Sequence, residues 1–348
     1  MRENNNGGPH VLVTGGAGFI GSHVCKLLAD EGYCPVTLDN LSSGHQRFVQ
    51  WGPFLHGNIC SANDLDHVFH HYNPVAVFHL AADIEVGNSV ENPDPHYRNN
   101  MVGMLELLST MRRWKVDKLV FASTCAVYGS PETQPIREDE PLAPASPYGH
   151  GKAMCERLIE DFASAYGLRA ANLRFFNASG ASPEIGLGEA RRHETHLIPL
   201  ALDAVLAAET FTVNGNDYDT HDGTCVRDYL HVEDIALAHF QALKALDRCE
   251  RGTAALYNLS TGQGYSVLDV LKAIERVTGQ PVSWRVGPRR PGDVARLVGD
   301  ASLATRDLNW QPARSSIDSI VGSAWEWRRH YHGKLWSEAS FTISRSPA

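Results

Sequence analysis

From His10 to about Arg174, short β-branched apolar runs alternate with longer segments whose apolar residues recur at helical spacing. The runs HVLVT, PVTLD, FLHGNI, VAVFHL, KLVFAS and LRAANLRF, starting at His10, Pro35, Phe54, Val75, Lys118 and Leu168, predict strands, FLHGNI being the weakest. Their apolar character is nearly continuous rather than alternating, so both faces of each strand are predicted to be buried. Together these signals predict an α/β fold on a doubly wound parallel sheet with helices on both faces. After about Asn177 the chain turns to loops rich in Gly, Asp and His, which predicts a second, smaller α/β unit. The expected division is 9–176 and 177–340, with the 229–262 segment free to pack back on the first sheet. The first eight residues and the closing SFTISRSPA read as disordered ends.

Two helices stand out. In the first, Val24, Leu27 and Leu28 share one face and Gly32 sits where a left-handed residue would end it. In the second, Ser146 is the predicted N-cap, Pro147 the first helical residue and Gly167 the residue past the end, with Leu158, Ile159 and Phe162 inward.

Composition narrows the function. The 348 residues are 43% apolar, enough for a large core, and the net charge of -9 is opposite in sign to what a nucleic-acid phosphate backbone favours. No nucleic-acid partner is therefore expected. The longest mainly apolar stretch, Leu197 to Phe211, is too short for a bilayer and carries Asp203. The opening MRENNNGGPH lacks the basic and apolar regions of a secretory signal, so a cytoplasmic protein without a membrane partner is expected. Seven cysteines without C-x-x-C spacing read as reduced thiols. No metal site is expected, since HETH (His193 to His196) and the His70–His71 pair lack zinc-site spacing.

The first strand runs into TGGAGFIG, where Gly15 or Gly16, Gly18 and Gly21 allow a tight strand-to-helix turn and close approach of backbone N–H groups to a pyrophosphate. The second strand ends in Asp39, where a carboxylate accepts both adenosine ribose hydroxyls and repels a 2′-phosphate, which favours NAD over NADP. Tyr148 and Lys152 are one turn apart on the second helix, so phenol and ammonium share a face. Ionising a tyrosine at neutral pH costs about 4 kcal/mol. An ammonium about 5 Å away offsets roughly 3 kcal/mol at an effective dielectric near 20, and an oxidised nicotinamide adds a similar amount. The strand from Lys118 runs into Thr124 at the C-terminal edge of the sheet, where a hydroxyl can hydrogen-bond the oxygen that Tyr148 deprotonates.

The glycine turn TGGAGFIGSH, the strand end STCAVYG and the Y-x-x-x-K helix resemble the extended short-chain dehydrogenase/reductases, which are Rossmann-type. The segments LRFFNASGA, ETHLIPLALDA, GNDYDTHDGTCVRDYLHVEDIA, YNLSTGQGYSVLDV and PRRPGD narrow the resemblance to the UDP-glucose 4-epimerase family, in its bacterial exopolysaccharide-type branch, over about His10 to Arg328. The resemblance implies NAD-dependent 4-epimerisation of a UDP-hexose through a transient 4-keto sugar, with NAD retained through the cycle. Tyr148 is then the base for the sugar 4-hydroxyl, Lys152 lowers its pKa and holds the nicotinamide ribose, and Thr124 orients the hydroxyl. Implied cofactor contacts are Gly15, Gly18, Phe19, Ile20, Gly21, Asp39, Asn40, Asn58, Ile59, Leu80, Ala81, Asn99 and Lys152. Implied UDP-sugar contacts are Thr124, Asn177, His196, Leu197, Thr212, Arg227, Arg290, Asp293 and Leu297, the two arginines being forked donors suited to a diphosphate. A homodimer through two helices of the NAD unit, one starting near Pro147, is implied as well.

The chain departs from the family pattern in places. Thr124 stands where many relatives have Ser, Asn58 replaces an Asp near the adenine, Asn214 replaces an aromatic near the uracil, and Ile84 replaces a Lys found in some members. Leu297 stands where hexose-restricted members carry Tyr, which leaves room for a 2-acetamido group. Dehydratases and decarboxylases need a carboxylic acid beside the hydroxyl residue, and Cys125 and Ala126 supply none. Remaining alternatives are a UDP-pentose (arabinose/xylose) or UDP-N-acetylhexosamine 4-epimerase and, in a different class, a non-catalytic NAD-sensing protein.

Overall fold

The computed structural model describes residues 7–290 and 292–331. Residues 1–6, Pro291 of PRRPGD, the expected end of the second unit at 340 and SFTISRSPA lie outside the described residues. The first half runs β1 (His10–Thr14), α1 (Phe19–Asp30), β2 (Cys34–Asp39), β3 (Phe54–His56), α2 (Ala62–Tyr72), β4 (Ala76–His79), α3 (Gly103–Trp114), β5 (Lys118–Thr124), α4 (Pro147–Tyr166) and β6 (Arg169–Phe175). The second half adds β7 (Asn177–Ser179), α5 (Leu197–Ala207), β8 (Phe211–Asn214), β9 (Val226–His231), α6 (Val232–Leu246), β10 (Ala254–Leu259), β11 (Gly264–Ser266), α7 (Val267–Thr278), β12 (Trp284–Gly287), β13 (Arg296–Leu297) and α8 (Ile317–Tyr331).

The main sheet is parallel and seven-stranded, in the order β10-β6-β5-β4-β1-β2-β3. Its strands are apolar on both faces because each face has its own core. Val11, Val13, Phe78 and Val120 meet Val24 and Leu28 of α1 and Ile235 and Leu243 of α6 on one side. Leu12, Val36, Val77, Leu119 and Phe121 meet Leu65 of α2, Leu107 of α3 and Ile159 of α4 on the other. The strand beyond the predicted set is β10, from the 229–262 segment, which joins the sheet beside β6 while α6 packs along α1. Only β9, at the start of that segment, stays with the smaller sheet, where β7, β11 and β13 pair with it. A separate parallel pair, β8 with β12, completes the second half. No helix among the described residues is long and apolar enough to cross a membrane, and all seven cysteines are free.

Burial holds three imidazoles neutral: His23 and His239 are pushed down to about 4 and His79 to about 3 from an ordinary value of 6.5. As pH falls below 6.5 the unfolded chain takes up these protons first. Their stabilisation is full above that value and is lost towards pH 4 by about 1.4 kcal/mol per pH unit for each imidazole. Asp228, pushed up to about 6 by burial, acts in the opposite sense over part of the window. Burial lowers His45 and His231 as well and raises Asp39, Asp83, Glu138 and Glu194, whose ordinary range lies lower in pH, so the imidazoles set the sign just below neutrality and Tm is expected to fall from pH 7 towards pH 5 in a thermal-melt series; a flat Tm over that range contradicts this account.

Candidate active site

The chain leaves β1 at Thr14 and turns at Gly15, whose φ of 75° lies in the left-handed region. A Cβ on Gly15 would stand 2.6 Å from the Ala81 nitrogen, and one on Gly21 would stand 2.1 Å from the Gly15 carbonyl oxygen. Gly18 is the N-cap of α1 with no side-chain cap bond, so the first-turn N–H groups of Phe19, Ile20 and Gly21 are donors without intrahelical acceptors. Asp39 accepts the Ala17 N–H at 3.0 Å through one oxygen and the Leu41 N–H at 2.8 Å through the other. Burial pushes its carboxyl pKa up and these two bonds draw it back. Each oxygen keeps a lone pair for a ribose hydroxyl. This side-chain-free cradle at a helix N-terminus, with a carboxylate at the end of the next strand, fits a dinucleotide.

The other expected cofactor residues line the same C-terminal edge. Leu80 and Ala81 follow β4, with the Leu80 N–H on the Thr14 carbonyl at 3.0 Å. Ile59 is buried against the sheet. Asn40 is exposed, and its side-chain oxygen accepts the Ser42 N–H at 3.0 Å. The Asn58 side-chain oxygen already accepts the Cys60 N–H at 2.9 Å, which leaves one lone pair for an adenine amine. Asn99 is half-buried and donates to Asn100 at 3.0 Å, while Ile84 is exposed.

Thr124 ends β5, and Tyr148 and Lys152 occupy the first turns of α4, which Ser146 caps by accepting the Gly149 N–H at 3.2 Å. All three are nearly buried, at 8%, 8% and 4% exposure, so they are not a solvated helix face. The Thr124 hydroxyl neighbours the Tyr148 phenol and favours its ionised form. Lys152 does not bring the phenol down as expected. Burial pushes Tyr148 up to about 12, and the neighbouring Thr124 hydroxyl draws it back only in part. Burial is the largest cause; the Lys152 ammonium itself donates to the Ala122 carbonyl at 2.7 Å and stands 4.7 Å from the Phe121 ring centre. Burial also brings Lys152 down to about 8.

Strand register places part of the expected sugar-nucleotide set. Asn177 of β7 lies opposite Tyr229 of β9, and Arg227 of β9 lies opposite Leu297 of β13. Asp293 gathers both arginines, Arg290 at 2.8 Å and Arg227 at 3.6 Å. Thr212 of β8 accepts from Arg285 at 3.3 Å, and Asn214, at the end of the same strand, is exposed. Leu297 packs with Cys125, Val127 and Phe176 beside Thr124. Leu197 opens α5 and packs on the second-half core. His196 belongs to a different network, paired with the buried Glu189 at 2.6 Å. Glu189, Glu194 and His196 bring ligand atoms within 4.8 Å of one another. Arg191 pairs with Glu189 at 3.0 Å and Arg328 with Glu194 at 2.9 Å, so guanidinium groups occupy these carboxylates.

Sequence reasoning passed over two groups beneath the trio. His79 meets the Thr14 hydroxyl at 2.7 Å and stacks on Phe121, supporting the ring under Lys152. Glu156 pairs with Arg174 in the core at 2.6 Å. The available signal was a charge inside each buried element, Arg174 in LRAANLRF and Glu156 one turn after Lys152.

A family model described as the NAD dependent epimerase/dehydratase family matches residues 11–259. The chain belongs to that family. Among curated proteins it is similar to the UDP-glucose 4-epimerase of Rhizobium meliloti (strain 1021), 46% identical over 95% of this chain and 100% of the relative. Among solved structures it resembles the UDP-glucose 4-epimerase from Brucella ovis in complex with NAD, at 45% identity and a TM-score of 0.87 over 91% of this chain and 97% of that one. It also resembles the UDP-Glc/GlcNAc 4-epimerase from Campylobacter jejuni, at 35% identity and a TM-score of 0.80 over 93% of this chain and 100% of that one.

Proposed function

We propose that this protein interconverts UDP-glucose and UDP-galactose by NAD-dependent epimerisation at C4, through a transient 4-keto sugar. The observation that carries this reading is the buried meeting of Thr124, Tyr148 and Lys152 at the sheet edge, with no carboxylic acid at the neighbouring positions 125 and 126. Bound NAD supplies a cationic nicotinamide and a reversible two-electron acceptor for the sugar carbon. The chain supplies the rest. The Tyr148 oxygen takes the 4-hydroxyl proton and returns it after the keto sugar has turned over, while Thr124 holds the same oxygen. Lys152 spends one of its three N–H donors on Ala122 and keeps two for the ribose and the phenolate. Arg227 and Arg290, clustered on Asp293, offer forked donors to the UDP diphosphate. The test is incubation of the purified protein with UDP-galactose and no added cofactor, followed by chromatography for UDP-glucose. Conversion supports the reading. Absence of conversion and of releasable NAD overturns it in favour of a non-catalytic protein.

Leu297 favours a second substrate. It packs beside Cys125 and Phe176, a smaller side chain than tyrosine on the wall next to Thr124, and the Campylobacter jejuni relative is named for both UDP-Glc and GlcNAc. UDP-N-acetylglucosamine is therefore expected to turn over, and Leu297→Tyr to lower that turnover about 10-fold or more while sparing UDP-glucose. Unchanged N-acetylated turnover in the variant removes Leu297 as the determinant.

We also infer a homodimer through α3 and α4, supported by Leu105, Met154 and Tyr166 standing exposed on these neighbouring helices. A monomer mass by light scattering contradicts it. The seven unpaired cysteines suit a reducing compartment, which supports placement in the cytoplasm; fractionation of cells with the protein outside the cytoplasmic fraction contradicts that.

A further inference from the structure

The proposed chemistry takes Thr124 from a strand and Tyr148 and Lys152 from a helix, and side-chain packing alone leaves such a pair free to slide along the strand direction. Two polar ties cross from α4 to β5. One is the Lys152 ammonium on the Ala122 carbonyl, a donor with other work in the proposed reaction. The second is Glu156, one turn further along α4, which accepts from the Ser123 hydroxyl on the residue just before Thr124. Arg174 of β6 lies directly opposite Ser123 in the strand register and grips the same carboxylate, from Nε to Oε1 at 2.9 Å and from Nη2 to Oε2 at 2.6 Å. One helical carboxylate is thus fastened to two neighbouring strands at one height along the sheet.

The fastening is buried and braced. Ser123, Glu156 and Arg174 are 0%, 3% and 3% exposed. Arg174 also donates to the Tyr128 hydroxyl at 2.9 Å, and Tyr128 donates to Asn258 of β10 at 2.7 Å. Asn258 in turn donates to the Ile136 carbonyl at 3.0 Å. The Arg174 guanidinium lies 4.8 Å from the Tyr128 ring centre, so its plane is held on a second side. Each of the side chains named in this network has a partner, which makes the height of α4 a property of the sheet rather than of the helix.

We propose that Ser123 and Glu156 are positioning residues, setting the height of Tyr148 and Lys152 on α4 against Thr124 on β5 through the Arg174-held carboxylate. The proposal rests on the epimerase reading above. Both are buried within the core, at 0% and 3% exposure, so the loss should fall on kcat.

The experiment compares parent and Ser123→Ala with UDP-galactose, expressing kcat per NAD-loaded chain so that unfolded protein drops out. A misplacement approaching 1 Å costs on the order of 10-fold to 100-fold in rate, and that loss is expected in kcat with KM and bound NAD per folded chain unchanged. Ser123→Cys keeps the shape and a weak S–H donor and is expected to fall between the two. It also serves if the alanine variant does not fold. A kcat per NAD-loaded chain within twofold of the parent in both variants overturns the proposal, as does a loss confined to KM or to folded yield. Failure of the underlying reading looks different, because the parent itself then leaves UDP-galactose unconverted.

Discussion

Tyr148→Phe is expected to lower turnover of UDP-galactose by about 10³-fold while the protein still purifies with NAD. The phenol is 8% exposed beside Thr124, and it sits one helical turn from Lys152, so removing one oxygen removes the proposed proton acceptor and little else. The ring stays in place, which keeps the loss in stability small. The described groups of the chain hold this phenol near 12, so the parent should carry no phenolate when NAD has been stripped, and its ultraviolet difference spectrum at pH 8 should match that of the variant in the ionised-tyrosine band. A variant turning over at the parental rate rules Tyr148 out as the base.

Gly21→Val is expected to give a protein that folds less stably and purifies without NAD. The first carbon of any side chain there stands 2.1 Å from the Gly15 carbonyl oxygen and 2.8 Å from the Gly16 Cα, both of them backbone atoms with no rotamer to yield. Helix α1 must therefore move away from the turn that leads into it. Overpacking of this kind costs about 1–3 kcal/mol. The larger effect is functional, because the first-turn donors of α1 and the turn at Gly15 form one cradle, and separating them removes the convergence a pyrophosphate requires. Nucleotide released on denaturation, read by absorbance, checks this; parental NAD content in the variant contradicts it.

Several structural features were legible in the amino acids. Continuous apolar runs can only be strands covered on both faces, and β1, β2, β4, β5 and β6 appear where those runs lie. Gly32, Ser146, Pro147 and Gly167 act at helix ends as their backbone preferences require. The glycine cradle and Asp39 are local in sequence, spanning one strand, one turn and the next strand, so their geometry follows from spacing. Return of β10 to the main sheet was foreseen only as an option, because nothing local to Ala254–Leu259 tells a strand which sheet it will join.

The substrate side needed more than spacing. Arg227 and Arg290 converge because Asp293 lies between them, and Lys152 spends one donor on a carbonyl of β5 and lies over the Phe121 ring. The Asn58 side-chain oxygen is partly committed to the Cys60 N–H. Such outcomes depend on partners far along the chain, and a residue's type records its capacity for a bond without recording its partner.

The sequence by itself determined the periodicity, the caps and the glycine turn, all of which follow from interactions within a few residues. The tertiary structure alone decided that Tyr148 and Lys152 are buried, that burial moves one up to about 12 and the other down to about 8, and that Glu156 is locked to Ser123 and Arg174. The physical reason is that desolvation and buried ion pairing are set by everything packed around a group.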